Sequence, residues 1–172
     1  LIRAAKASTD LSAGGRQGLI LIPANPRLAW RAFKKQFEMM GPANGLKNYE
    51  KFKRNLDIHP FIELAEDAGL YLASLAGDSL GAKEEAFMSR IAGDETLFTN
   101  PTGEKVRRGL TWHIRASERA YVTFLDQLRM DVFESMAKEV NAFNVRKGRP
   151  EDIGQYKAIA DFINKATGRG DL

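Results

Sequence analysis

Apolar positions in "RASERAYVTFLDQLRMDVFESMAKEVNAF", Arg115 to Phe143, recur at steps of three and four residues. Tyr121, Phe124, Leu125, Leu128, Val132, Met136, Val140 and Phe143 fall on one face, which predicts a helix of about eight turns. At 1.5 Å per residue it would span roughly 43 Å and act as the spine of its domain.

The same periodicity appears on both sides of that segment. Asn25 is placed to cap a helix opening on Pro26, with Leu28, Trp30, Phe33, Phe37 and Met40 as its apolar face. Gly41-Pro42 would end it. A helix over Leu46 to Asn55 would turn Leu46, Tyr49, Phe52 and Leu56 inward. A third would open at Pro60 with a break at Gly69, and a short fourth would cover Lys83 to Ile91. The last would run from Pro150 to Thr167 with Ile153, Tyr156, Ile159, Ala160 and Ile163 as its stripe and Gly168 as its stop. The apolar run before Pro23 has no partner strand, so the first 25 residues read as an extended, flexible arm. "TLFTNPTGEKVRRGLTWHI" breaks the helical pattern around an Asn-Pro-Thr-Gly turn. A short hairpin or a surface loop near residues 96–110 would fit it. These segments predict an all-α protein: one domain over residues 1–172, an irregular multi-helix bundle around one long central helix.

Composition narrows the chemistry. The chain contains no cysteine, which excludes disulfides, zinc ribbons, iron–sulfur clusters and thiol catalysis. No apolar run reaches the roughly 18 residues needed to span a bilayer. The net charge is +4, a mild bias toward anionic partners. The bases are grouped: Arg27, Arg31, Lys34 and Lys35 on one helix, then Arg107 and Arg108, then Arg146, Lys147 and Arg149. With Trp30 among the first group, these nine are the candidate nucleic-acid contacts, through backbone phosphates and base stacking.

Candidate catalytic chemistry is sparse. Asp126, Asp131 and Glu134 suggest an acid/base or metal site, but acids alternating with bases on a helix ordinarily form a solvated face. Glu134 and Lys138 pair at (i, i+4), and Asp126 precedes Arg129 by three residues. His59 and Glu63 have a metal-ligand spacing without a third ligand nearby. His113 adjoins Trp112 and reads as a packing residue, with phosphate contact as the alternative. "SAGGRQG" lacks the Gly-Lys-Ser/Thr ending of a phosphate loop and reads as a hinge. Ser8, Ser12 and Ser117 have no recognisable base partner, and the Arg169–Asp171 tripeptide is too short to mean adhesion. No catalytic residue, metal site or cofactor is assigned.

"STDLSAGGRQG" (Ser8–Gly18), "RASERAYVTFLDQLRMDVF" (Arg115–Phe133), "AIADFINKATGRGDL" (Ala158–Leu172) and the aromatic, basic helix after Pro26 together carry a resemblance. They resemble a helical region of very large bacteriophage polyvalent, or internal virion, proteins, which travel in the particle and are ejected with the genome. The stretch "LFTNPTGEKVRRGLTWH" reads as an insertion relative to that family. The resemblance implies a non-enzymatic packing module in the virion, and in the host cytoplasm after ejection. Its partners would be other segments of a parent phage protein, other virion proteins or further copies of itself, with genome DNA also open. A nucleic-acid-binding module acting after entry is the alternative, and an enzyme with a carboxylate site a third. The missing initiator Met and the "TGRGDL" ending are what an excised segment of a larger polypeptide would show.

Overall fold

The computed structural model describes residues 20–75 and 101–168, with side chains from Trp112 onward in the second stretch except at position 114. Six helices occupy them: α1 Leu21–Ala24, α2 Pro26–Glu38, α3 Gly45–Asp57, α4 Ile62–Asp67, α5 Pro101–Lys147 and α6 Ile153–Ala166. The described residues contain no strand, and the architecture is all-α around one long central helix.

The long helix begins earlier than its apolar stripe suggests. It has 47 residues, a rod of roughly 70 Å. Pro101 opens it, where a missing N–H costs nothing because the first turn has no acceptor for it. The stretch expected as hairpin or loop is therefore helical from Pro101 through Leu110. Gly103 and Gly109, each worth about 1 kcal/mol against helix, hide the periodicity there without ending it. Residues 96–100 lie outside the described residues, as does the expected helix at Lys83–Ile91.

The expected arm is also shorter. Leu21–Ala24 form a helical turn, and Leu21 is buried in the core. Residues 1–19 lie outside the described residues.

The other helices wrap α5 at successive levels. α2 lies antiparallel to it, with Arg31 level with Asp131 and Phe33 on Phe124, ring centroids 4.6 Å apart. α3 runs back the other way and brings His59 to Glu134. Leu70 N–H donates to Ala65 O at 2.8 Å around Gly69, and Arg149 N–H to Asn144 O at 2.9 Å around Gly148. Both glycines have positive φ, +79° and +61°, a conformation that side chains disfavour and that closes a helix. After Gly148 the chain reverses into α6, capped by Asp152, whose carboxylate accepts from Gly154 N–H at 2.8 Å.

Enclosure from several sides explains the core of α5. Between Val122 and Phe133 only Gln127 is less than fully buried. The buried set thus includes Met130 and Phe133, which lie off the expected stripe, while Phe143 is largely exposed. A helix surrounded by others buries its whole circumference rather than one face. The reverse holds on α2. Ala29, Ala32, Gln36 and Met39 face inward; Leu28, Phe33 and Met40 are half-buried; Trp30 and Phe37 point out, at 62% and 60% exposure. Small residues let α2 approach α5 closely and push its large aromatics to the rim. Leu46 and Ile153 are likewise exposed, whereas Tyr49, Phe52, Leu56, Tyr156, Ile159, Ala160 and Ile163 are buried as expected.

Candidate functional site

Of the three candidate carboxylates of α5, Asp126 and Asp131 are buried rather than on the solvated face the charge pattern suggests, while Glu134 is partly exposed and pairs with the exposed Lys138. Asp126 is fully enclosed and points toward the loop after α4. It accepts from Ser74 N–H at 2.8 Å and Ala73 N–H at 3.1 Å, and stands 3.5 Å from Arg129. Arg129, also buried, donates from Nε to Thr167 Oγ1 at 2.9 Å and from a terminal nitrogen to Tyr71 O at 3.2 Å. Asn164 completes the join by donating to Gly69 O at 2.9 Å and accepting from Tyr71 N–H at 3.0 Å. Burial pushes the Asp126 carboxyl above its ordinary range, against the pull of the Ser74 bonds and Arg129. The network fastens the loop and the end of α6 to the long helix.

Asp131 and Glu134 face the opposite side, toward α2 and α3. Asp131 Oδ1 accepts from Gln127 Nε2 at 2.8 Å and lies 3.4 Å from Arg31. Its Oδ2 is buried without a hydrogen-bond donor. Burial raises this carboxyl as well, opposed mainly by the Arg31 charge. Glu134 moves the other way, lowered first by its hydrogen bond from Lys138. His59 Nδ1 accepts from Phe61 N–H at 3.3 Å, which leaves Nε2 to carry the proton toward Glu134 at 3.5 Å. The partner of His59 is thus Glu134, not Glu63, which is exposed. Among the described residues no three His, Asp or Glu side chains are grouped to hold a metal ion. His113 packs against Trp112 with ring centroids 4.8 Å apart and is itself exposed.

Above this carboxylate pair α2 and α3 diverge and leave a cleft of about 340 Å³. Its floor is Met39, Phe52, Leu56 and Met130, and its polar rim includes Arg31, Lys35, Lys51, Asn48, Asn55 and His59. Two nucleic-acid candidates, Arg31 and Lys35, line it, and Arg31 is held by Asp131 while Lys35 meets Glu38 at 3.1 Å. Arg27, Lys34 and Trp30 lie around the outer face of the same helix, with Lys34 Nζ 5.6 Å from the centre of the Trp30 ring. Asn48, Lys51 and Asn55 did not stand out in the sequence. Their signal was a polar stripe at steps of three and four on α3, beside the buried Phe52.

The remaining candidate bases stand apart. Arg107 and Arg108 lie on the first turns of α5; Arg146 and Lys147 are at its last turn, with Arg149 just beyond. The two groups are separated by roughly 57 Å of helix, so no compact surface joins all nine bases. Arg146 donates to Ala142 O at 3.3 Å, and Arg149 sits over the Phe143 ring at 5.7 Å.

The fold and site define an all-α helical module with a basic, amphipathic cleft. No protein family, curated protein or solved structure matches the chain.

Proposed function

We propose that the chain is a non-enzymatic helical packing module of a phage virion protein of the ejected type, binding neighbouring protein segments. The observation that carries this reading is the outward display of Trp30 and Phe37 on one face of α2, seven residues and so two turns apart. Large exposed aromatics rimmed by Arg27 and Lys34 have the composition of an interface core with a polar rim. The test is a photo-reactive phenylalanine analogue at position 30 or 37, in the chain expressed within its parent particle. Crosslinks to one reproducible protein segment are expected. Crosslinks to water only, or to random proteins, would sink the reading.

Contact with nucleic acid is the second reading, favoured by Lys34 set over the exposed Trp30 ring with Arg27 on the same outer face. Fluorescence anisotropy with single- and double-stranded DNA separates the two. Binding that falls steeply between low and physiological salt would favour this reading over a protein-only role.

A further inference from the structure

The cleft between α2 and α3 has a chemistry that neither reading uses. It is concave, about 340 Å³, and joins an apolar floor to a rim of hydrogen-bond donors. Three permanent cations reach it, Arg31, Lys35 and Lys51, against one acid on the rim, Glu38. Glu38 is taken by Lys35, at 3.1 Å. Arg31 spends one terminal nitrogen on Asp131 at 3.4 Å. The guanidinium is a planar fork of five donors, so an anchor at one nitrogen orients the rest rather than consuming them. Asp131 is itself only 2% exposed at its side chain, so it serves as a fixed post behind the wall. The Asn48 amide is held by its bond to Glu38 O at 2.9 Å. Asn55 and Lys51 stand on α3 four residues apart, on the same side of that helix.

We propose that this cleft binds a phosphate ester: the phosphate at the Arg31–Lys51 rim, the organic body over Met39, Phe52 and Met130. The arrangement favours a phosphate over a bare cation because the donors outnumber the acceptors on the rim. It favours an ester over an inorganic ion because the volume and the apolar floor exceed what a bare anion fills. A free nucleotide and the end of a nucleic-acid strand present this same chemistry at the rim. The inference stands independently of the packing reading, which uses the outer face of α2.

The test is titration calorimetry at low salt with four probes: deoxyadenosine monophosphate, deoxyadenosine, inorganic phosphate, and a 5′-phosphorylated oligothymidylate. Deoxyadenosine monophosphate should bind, with deoxyadenosine and inorganic phosphate each at least about tenfold weaker, since each lacks one half of the contact. Lys51→Glu should weaken the nucleotide by about tenfold or more, because it turns an attraction into a repulsion. Lys157→Glu, the same charge change on α6 and away from the cleft lining, should leave it within about twofold. Lys51 and Lys157 are both exposed, so neither variant threatens folding. Tighter binding of the oligonucleotide than of the mononucleotide would assign the strand end as the source; equal or weaker binding would assign the free nucleotide. The proposal is overturned if deoxyadenosine monophosphate does not bind, or if Lys51→Glu and Lys157→Glu weaken it equally.

Discussion

Arg129 and Thr167 lie 38 positions apart in the chain and meet side chain to side chain, Nε to Oγ1, at 2.9 Å in the interior. Thr167 closes the last helix, and its hydroxyl in turn donates to Ile163 O at 2.8 Å. One arginine thereby locks the end of α6 to the middle of α5 and, through Tyr71 O, the loop after α4 as well.

Arg129→Ala should therefore destabilise the fold by about 3–5 kcal/mol, because it leaves the enclosed Asp126 without its partner and unties Thr167 and the Tyr71 carbonyl. Adding Asp126→Leu should not restore the loss. The Ala73 and Ser74 amides would then be buried without an acceptor, at about 1–3 kcal/mol each. Urea denaturation of the single and double variants measures both; recovery to wild-type stability in the double variant would contradict the role given to Asp126.

Asp131 sets a pH dependence. Its folded carboxyl is raised above the ordinary value of 3.8, first by burial. A raised carboxyl binds its proton more tightly when folded, so its stabilising contribution is complete below the unfolded value and is lost as pH rises through the folded one. Asp131→Asn cannot titrate. Wild-type stability minus that of Asp131→Asn should therefore fall as pH climbs from about 3.8 toward neutrality, as read by thermal unfolding across that range. A difference that grows with pH would reverse the assignment.

Burial also pushes the phenols of Tyr49 and Tyr156 up to about 12. Ultraviolet titration of the folded chain should show both ionising near there, later than an ordinary phenol at 10.0. The phenols are neutral below that range, so their contribution to stability is present at neutral pH and is lost between about 10 and 12. Titration of all four tyrosines in a single step at the ordinary value would show that these two are not enclosed.

Gly45 opens α3 where a Cβ would run into the Met39 carbonyl oxygen of the preceding turn. Gly45→Ala should cost about 1–3 kcal/mol in chemical denaturation, through the displacement it forces. An unchanged midpoint would mean that the α2–α3 corner yields easily.

Trp30→Ala should leave stability within about 0.5 kcal/mol, since the ring is exposed on the surface. A loss comparable to a core truncation would show that the ring supports the fold rather than a partner.

These positions also show what the sequence could carry. The helical class, the long spine and the inward faces of α3 and α6 were legible, because each rests on local periodicity and on stop signals such as Gly69 and Gly168. The start of α5 was not, because Gly103, Gly109 and the threonines are poor helix formers that obscure the periodicity there. Trp30 and Phe37 share the periodicity of a core face, and only the close approach of Ala29 and Ala32 to α5 turns them outward. Asp126 and Arg129 read as a surface pair because their enclosing loop, Tyr71–Ser74, arrives from more than 50 positions away. The cleft was illegible for the same reason: Arg31, Lys51 and Gln127 become neighbours only after three helices have packed.

The enclosure of Val122–Phe133 has a consequence for the order in which the molecule comes apart. Amides at the ends of α5 and in α4 can exchange with solvent by fraying or local opening. Those of the enclosed turns can do so only when α2, α3 and α6 have all let go. The middle of this one helix should therefore exchange most slowly among the described residues, at a rate that reports the free energy of unfolding the bundle packed around it.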